Sequence, residues 1–423
     1  MRPTIMTILA YILSTFSLLM SLLLLLKLKG LNLLLFAKLS AGALSAYWAL
    51  FGVAGVVTGW WTHAFWAIPT GILGSAMFIR YIWLNTREHD GFEKAFGADW
   101  GKRITHPQIK GMIRKRWSWF YGMNPTPKAL WIKDMVYWTL PESGRELLCD
   151  IWQPADNYRS GLTLIYCHGS AWAMGDKDFF TRPFFRHLVG QGHCIMDIAY
   201  RLCPEVDIYE MVGDVKRAVV WMKTHASDYG VDPGKIILSG GSAGGHLALL
   251  SAYAPKHPDL TPGELLDTNL SVGGVLAYYP PTDLKMGFSA WRNANPMANL
   301  DPLPIGTLVE PKEQMRYAGR LDMLLGGSPE ELPEIYDLVS PTTHVHPACP
   351  PTLLLQGGND VLVPWKTTLT LAQKLREAGV PVVSSFFPMT EHIFDLVLPQ
   401  FSPPAQSALY DVDRFLALMA TRT

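Results

Sequence analysis

The sequence of 423 residues lacks a net charge, because 36 Lys and Arg residues balance 36 Asp and Glu residues. A neutral chain gives no support to nucleic-acid binding by bulk electrostatic attraction. The five cysteines form an odd, scattered set without metal-ligand spacing, which is typical of small buried hydrophobic side chains. His344 and His346 form a His-x-His pair, but no nearby carboxylate or thiol set completes a metal site. Internal repeats and low-complexity segments are absent as well, and no metal is predicted.

Charged residues are also absent from two long stretches near the N-terminus, Thr4–Leu26 and Leu39–Ile79. The first is long enough to cross ~30 Å of hydrocarbon as a helix. It is too long for a signal peptide, and Lys27 follows where a cleavage site of small residues would be needed. The second is too long for one span and divides at Gly59–His63. We therefore predict a transmembrane anchor over residues 1–84 with helices at about 5–26, 39–59 and 62–84. A buried helical bundle in a soluble protein is the alternative.

The positions of basic residues predict the orientation of this anchor. Three lysines lie between the first and second helices, none lies between the second and third, and two arginines close the third. The positive-inside rule then places the N-terminus outside and the rest of the chain on the cytoplasmic side. Residues 85–130 form a basic juxtamembrane linker, since no acidic residue occurs between Asp99 and Asp134. This linker either lies on the anionic membrane surface or is simply solvated.

A short glycine-rich motif, Gly240–Gly244, stands between a predicted strand and a predicted helix. It fits the pattern G-x-S-x-G and presents Ser242 on a sharp strand-to-helix turn. Glycines are needed on either side because a Cβ there would collide with neighbouring backbone. The N–H of Ala243, at the start of the new helix, is directed at developing negative charge. The pattern predicts a nucleophilic serine, and a tight turn of small residues without chemistry is the alternative.

Two further residues follow predicted strands in the order that a serine nucleophile requires. Asp360 ends a glycine-rich turn after one strand, and His392 lies in the loop after the next. The order Ser, Asp, His is that of the α/β-hydrolase triad. His392 would take the Ser242 proton and return it to the leaving group, and Asp360 would orient the imidazole. Asp283 is a weaker candidate for the acid, and Asp395 is too close to His392 in sequence.

A third motif, His168–Trp172, follows a predicted strand before the nucleophile motif. With Tyr200–Glu205 and the Ser-Ala-Gly-Gly sequence at Ser242, it makes residues 131–423 resemble the hormone-sensitive-lipase-like branch of α/β-hydrolase esterases. The resemblance implies an oxyanion hole formed by the backbone N–H groups of Gly169, Ser170 and Ala243. Ser170 replaces the second glycine of the family's loop. Trp172 either walls the acyl pocket or packs in the core, and packing roles are predicted for His168 and His246.

Beyond residue 130, predicted strands alternate with predicted helices after an opening pair of antiparallel strands. This order predicts an α/β class protein with the α/β-hydrolase fold, a mainly parallel sheet flanked by helices, with its site at the carboxyl ends of the strands. Residues from about 284 to 340 lose the strand pattern and keep large apolar side chains, which predicts a cap over the pocket. Its methionines suit either a pliable lipophilic pocket or ordinary core packing. These cap residues are Met286, Phe288, Trp291, Met297, Met315, Tyr317 and Met323.

These features together predict a membrane-anchored serine esterase that hydrolyses lipophilic carboxylic esters and needs no cofactor. Its expected partners are the ester substrate and the lipid bilayer, without nucleic acid, and no oligomeric state is predicted. The same triad could serve an amidase, a peptidase or an acyltransferase. Two other classes are a ligand receptor on a hydrolase fold and a transport module built from the helices. The helices lack an intramembrane carboxylate, lysine or arginine, which favours the role of an anchor.

Overall fold

The computed structural model describes residues 4–27, 33–119, 121, 128–155, 158–294 and 321–422. The N-terminal part of the chain is helical. Its helices are α1 (Ile5–Leu23), α2 (Leu33–Ala43), α3 (Ser45–Trp61), α4 (Ala67–Thr86), α5 (Gly91–Phe96) and α6 (His106–Gly111). α1 and the helical stretch that begins with α4 are each long and apolar enough to cross a membrane. A bent pair made of α2 and α3 could add a third span.

The second predicted membrane helix differs from the structure at its start. We predicted one helix from residue 39 to 59, but α2 ends at Ala43 and α3 begins at Ser45, with a bend of 79° between them. Hydropathy does not register this bend because the apolar run continues through it. The first and third helices also differ at their ends, since α1 stops at Leu23 and α4 runs from Ala67 to Thr86.

The helices α1, α3 and α4 bury small residues and expose large apolar ones. The small buried residues include Ala10, Ser14, Ser17 and Ser21 on α1, Gly52, Gly55 and Gly59 on α3, and Gly71, Gly74 and Ser75 on α4. Larger buried residues occur in the second half of α4, at Phe78, Tyr81 and Asn85. The side chains that expose more than half of their surface include Ile5, Ile12, Leu19, Trp60, Trp61, Trp66 and Ile79. This distribution is the reverse of that in a water-soluble bundle, where large apolar side chains face inward.

The small residues let the helix backbones approach closely. A Cβ added to Gly55 would lie 2.2 Å from Ser14 Oγ, and one added to Gly71 would lie 2.6 Å from the carbonyl oxygen of Gly52. Ser17 Oγ donates across the bundle to the carbonyl of Trp48 at 2.9 Å. Small residues and interhelical hydrogen bonds of this kind are typical of helix packing within membranes.

The rest of the chain is built around one eight-stranded sheet in the order β1-β2-β4-β3-β5-β6-β7-β8. Its strands are β1 (Ala129–Thr139), β2 (Glu146–Pro154), β3 (Thr163–Cys167), β4 (Cys194–Ile198), β5 (Ile236–Gly241), β6 (Gly274–Tyr278), β7 (Thr352–Gly357) and β8 (Val382–Phe387). β1 pairs with β2 and β2 with β4 in antiparallel fashion, and the other neighbours are parallel. The parallel strands are almost entirely buried, as expected for a sheet covered on both faces.

Helices cover the sheet and extend past its carboxyl edge. They are α7 (Arg182–Val189), α8 (Ile208–Thr224), α9 (Ala243–Tyr253), α10 (Leu284–Ala294), α11 (Leu321–Leu325), α12 (Pro333–Leu338), α13 (Trp365–Glu377) and α14 (Pro403–Thr421). The mainly parallel sheet with its helices confirms the predicted α/β-hydrolase fold. Within the predicted cap, 284–340, the structure describes helices and no strand in the parts outside 295–320. Met297, Met315 and Tyr317 lie outside the described residues.

The segment predicted as a basic linker, residues 85–130, is partly docked onto the sheet domain. Phe92 is buried in the core on the side of the sheet that α14 covers. Arg116 is buried too, and its Nη2 donates to Asp411 Oδ1 of α14 at 2.8 Å. For these residues the structure favours a docked segment over both a solvated linker and a membrane-surface helix.

Candidate active site

Ser242 occupies the turn between β5 and α9. Its backbone has φ 54° and ψ −122°, a conformation that costs a non-glycine residue roughly 1–3 kcal/mol. Two hydrogen bonds hold the turn, since Ser242 N donates to the Tyr278 carbonyl at 2.9 Å and the Ser242 carbonyl accepts from His246 N at 3.0 Å. Ser242 stays partly exposed while every residue of β5 and α9 is buried. The turn therefore presents one hydroxyl at the carboxyl edge of the sheet.

The glycines around Ser242 are required by packing. A Cβ added to Gly240 would lie 2.4 Å from the carbonyl oxygen of Cys167, and one added to Gly244 would lie 2.0 Å from the same atom. Both distances are far below van der Waals contact, and the obstacle is backbone that belongs to the neighbouring strand β3. The spacing of glycines that we read in the sequence is therefore explained by the close approach of β3 to this turn.

His392 and Asp360 form a buried pair in the loops after β8 and β7. His392 Nδ1 donates to Asp360 Oδ2 at 2.7 Å, and the two side chains are 5% and 0% exposed. Asp283, the weaker candidate, instead accepts a hydrogen bond from Met286 N at 2.9 Å at the start of α10. The structure thus joins Asp360 to His392, as the order of motifs predicted.

Asp360 is held by donors on both of its oxygens. Its Oδ1 accepts from the backbone N–H groups of Leu362 and Val363 at 3.0 and 2.8 Å. Its Oδ2 accepts from Gln356 Nε2 at 3.0 Å, in addition to His392. Gln356 is not among the residues predicted from the sequence, although its position near the end of a buried strand, four residues before the acid, is a usable signal. This arrangement leaves the carboxylate one orientation and fixes the imidazole with its proton on Nδ1.

Tyr279 packs against both the Ser242 turn and the ring of His392. Its ring centroid is 4.3 Å from that of His392, and its atoms lie 3.3 Å from where a Cβ on Gly241 would be. Its hydroxyl donates to Asp395 Oδ1 at 2.6 Å. Burial raises the pKa of Asp395 to about 6. Asp395 is therefore hydrogen-bonded to a tyrosine, which agrees with the expectation that it is not the acid that orients His392.

The loop after β3 packs against the Ser242 turn. A Cβ added to Gly169 would lie 3.0 Å from the Gly241 carbonyl oxygen and 3.6 Å from Ser242 Cβ. The next three residues, Ser170, Ala171 and Trp172, have φ values of 88°, 53° and 60°. Three consecutive positive φ values are unusual for residues with a Cβ. The backbone of this loop is thus turned tightly beside Ser242, where the sequence analysis expected Gly169, Ser170 and Ala243 to act together.

We expect Ser170→Gly to stabilise the protein by about 1 kcal/mol, because glycine adopts a φ near 88° without the strain that a Cβ imposes. Thermal unfolding of the full chain in detergent should show a higher midpoint for this variant. Ser170→Ala is the control, since alanine removes the hydroxyl and keeps the Cβ, and its midpoint should not rise. An equal rise in both variants would point to the hydroxyl instead of the backbone.

Trp172 is buried, so the structure favours core packing over a pocket wall for this residue. Its Nε1 donates to His246 Nδ1 at 3.3 Å, and His246 Nε2 donates to the Val339 carbonyl at 2.7 Å. Burial lowers the pKa of His246 to about 4, so the ring is neutral and can accept from Trp172. His246 therefore links the loop after β3 to the base of the cap, a packing role as predicted.

The other histidines of the site region also have structural partners. His168 Nδ1 donates to the Gly169 carbonyl at 2.9 Å, its ring stacks on Tyr200, and burial lowers its pKa to about 4. His344 and His346 bond through Nε2 to the carbonyls of Leu338 and Tyr253. Among the described residues, no group of three or more His, Cys, Asp or Glu side chains could hold a metal ion.

A family model, BD-FAE, matches residues 149–375 of the chain. The chain is also similar to two proteins of Mycobacterium tuberculosis. It is 34% identical to the probable carboxylic ester hydrolase LipM over 65% of this chain and 59% of LipM. It is 30% identical to the esterase LipQ over 76% of this chain and 72% of LipQ. The chain thus spans less than two thirds of the length of LipM and more than two thirds of the length of LipQ.

Solved structures agree with this similarity. An esterase of Thermogutta terrifontis, Est2, in a butyrate-bound structure, superposes with a TM-score of 0.50 at 26% identity. The superposition covers 69% of this chain and 94% of Est2. Esterase B of Lactobacillus rhamnosis superposes with a TM-score of 0.52 at 23% identity over 70% of this chain and 90% of that one, which shows the shared fold.

Proposed function

The chain belongs to the BD-FAE family of α/β-hydrolases, and on that premise we propose that it is a membrane-anchored serine esterase for lipophilic carboxylic esters. The observation that carries the proposal is the buried contact between His392 Nδ1 and Asp360 Oδ2, placed at the same sheet edge as the strained Ser242 turn. A strained, partly exposed serine and an oriented imidazole at the same edge of the sheet are what acyl transfer requires.

In the proposed reaction, Ser242 Oγ attacks the ester carbonyl while His392 Nε2 accepts its proton. The negative charge on the carbonyl oxygen is stabilised by the N–H groups of Gly169, Ser170 and Ala243. Collapse of this intermediate expels the alcohol, which takes the proton from His392, and leaves an acyl group on Ser242. A water molecule, deprotonated by His392, then attacks the acyl carbonyl. The bond from Ser242 Oγ to the acyl group breaks, Oγ takes the proton back from His392, and the carboxylic acid leaves. Asp360 keeps the imidazole in the required tautomer and stabilises its protonated form.

Membrane anchoring is supported by the packing of α1, α3 and α4. Large apolar side chains on the outside and serine and glycine on the inside suit a hydrocarbon environment, in which lipid takes the place of a protein core. We propose that these three helices span the membrane and that the hydrolase domain lies on the cytoplasmic side, the side that the basic residues indicate. An anchored enzyme meets substrates that partition into lipid, which favours esters with long acyl or alcohol groups.

The proposal is tested with the full chain purified in detergent. We expect hydrolysis of p-nitrophenyl esters between C2 and C16, with an optimum above C4, and labelling by a fluorophosphonate probe. The corresponding p-nitroanilides should react at least about 100-fold more slowly, because p-nitroaniline is a poorer leaving group than p-nitrophenol. An added alcohol that diverts most of the acyl group would indicate an acyltransferase. Absence of both hydrolysis and labelling would reject a serine enzyme.

A further inference from the structure

The N-terminal helices contact the two loops that carry Asp360 and His392. These contacts join residues near the end of α1, on α2 and near the end of α4 to the turn after β7 and the loop after β8. The loop after β8 begins with Pro388–His392, and the last of these five residues is the catalytic histidine of the proposed mechanism. The helices therefore reach the site itself and do not merely tether the domain.

The charged contact among these is a buried ion pair between Lys38 of α2 and Glu391. Each side chain is 1% exposed, and the two residues are 353 positions apart in the chain. Lys38 Nζ also donates to the carbonyl of Leu26, just beyond α1. Glu391 immediately precedes His392, so a displacement of the Glu391 backbone is transmitted to the imidazole through one peptide unit.

Neutral hydrogen bonds from α4 hold the same loop. Asn85 Nδ2 donates to the Pro388 carbonyl at 3.2 Å, and Thr390 Oγ1 donates to Asn85 Oδ1 at 3.3 Å. Tyr81 and Thr390 also share a hydrogen bond between their hydroxyl groups at 3.3 Å. Of the four residues before His392, three therefore form hydrogen bonds or an ion pair with the N-terminal helices: Pro388, Thr390 and Glu391.

The turn that carries Asp360 is included in this contact. Asn359 Nδ2 donates to the Leu24 carbonyl at 3.4 Å, and Asn359 N donates to the Thr390 carbonyl at 2.9 Å. The helices, the turn after β7 and the loop after β8 therefore form one packed unit around the buried pair of Asp360 and His392.

We propose that the N-terminal helices complete the active site, with Lys38 as a positioning residue that acts through Glu391 on His392. The inference rests on the proposed function, since it assigns His392 the role of the base. Without Lys38, the loop after β8 loses the contact that holds its last residue before His392. A displacement of the base by about 1 Å is enough to slow catalysis by roughly 100-fold.

The electrostatics of the pair predict that the loss of Lys38 alone is costly. Burial raises the pKa of Glu391 to about 7, even though Lys38 opposes this shift. If Lys38 is removed, Glu391 is left as a buried carboxyl group that either takes up a proton or draws in water. A buried pair loses more when one partner is removed than when both are replaced by apolar groups.

The test uses Lys38→Met in the full chain, with turnover normalised to active sites titrated by a fluorophosphonate probe. We expect kcat per titrated site to fall about 10- to 100-fold while KM changes less than twofold. The exchange of the two residues, Lys38→Glu with Glu391→Lys, should recover most of the lost kcat because it restores an ion pair at the same junction. Lys94→Met is the matched control, since Lys94 pairs with Asp90 at an exposed site on α5.

A second variant covers the case in which Lys38→Met does not fold. Asn85→Ala removes two neutral hydrogen bonds to the same loop and leaves no buried charge, and its kcat should fall about three- to tenfold. Unchanged turnover per titrated site in Lys38→Met, or in Asn85→Ala when Lys38→Met is unfolded, would overturn the positioning role. A wild-type protein that neither hydrolyses esters nor reacts with the probe would instead overturn the proposed function.

Discussion

Replacement of Ser242 by alanine should abolish ester hydrolysis, with kcat reduced by about 10⁴- to 10⁶-fold. The reason is that Ser242 is the nucleophile of the proposed mechanism, and water alone cannot form the acyl-enzyme that divides the reaction into two easier steps. Labelling by a fluorophosphonate probe should disappear as well. Alanine is accommodated at this position because the turn is held by backbone hydrogen bonds from Ser242 N and to its carbonyl. The loss is therefore chemical, and the unfolding midpoint should remain close to that of the wild type.

Ser239→Ala provides the matched control for this variant. Ser239 lies three residues earlier on β5, it is fully buried, and its hydroxyl has no hydrogen-bond partner among the described residues. Its removal should leave hydrolysis and probe labelling within about twofold of the wild type. If Ser242→Ala retained the activity of Ser239→Ala, Ser242 would not be the nucleophile, and the reaction would need another residue.

Asp360→Asn should reduce kcat by about 10³- to 10⁴-fold. Both oxygens of Asp360 act as acceptors in two hydrogen bonds each. Oδ1 accepts from two backbone N–H groups, and Oδ2 accepts from Gln356 Nε2 and His392 Nδ1. An asparagine must direct its NH₂ group at one of these pairs. Directed at His392, it favours the tautomer with the proton on Nε2, which cannot accept the Ser242 proton. If the NH₂ group is directed at the backbone, the hydrogen bonds from the N–H groups of Leu362 and Val363, which hold the side chain, are lost.

Asp395→Asn is the control for the loss of a carboxylate near His392. Asp395 accepts from the Tyr279 hydroxyl, and an amide oxygen can replace it in that hydrogen bond. We expect kcat within about fivefold of the wild type at pH 8, measured with the same p-nitrophenyl ester. A larger loss in Asp395→Asn than in Asp360→Asn would exchange the roles that we propose for the two acids.

Much of the hydrolase domain could be predicted because its signals are local. β5, β7 and β8 are short apolar runs that end in turn residues, and Ser242, Asp360 and His392 each follow such a strand. Parallel strands bring their carboxyl ends to one edge, so three residues far apart in sequence meet without any need to predict side-chain contacts. Their assignment as catalytic residues remains our proposal.

The contacts that join the two parts of the chain could not be predicted in this way. In the sequence, Lys38 is one of several basic residues beside a predicted membrane helix, and Glu391 is the neighbour of a histidine. Nothing within about ten residues of either position indicates the other. The bend between α2 and α3 was missed for a related reason, because tertiary contacts of α2 and not its hydropathy place it at an angle to α3.

The ion pair between Lys38 and Glu391 also joins two parts of the chain that are synthesised at different times. The ribosome makes Lys38 early and Glu391 353 residues later, a delay of roughly 20–70 s at ordinary elongation rates. Throughout that interval the first helices are already available to the membrane, while the histidine loop does not yet exist. A hydrolase domain released without its helices would lack the contacts that hold this loop. Under the proposed positioning role, a copy whose helices have not met its histidine loop hydrolyses esters about 10- to 100-fold more slowly, which limits damage to other cellular esters.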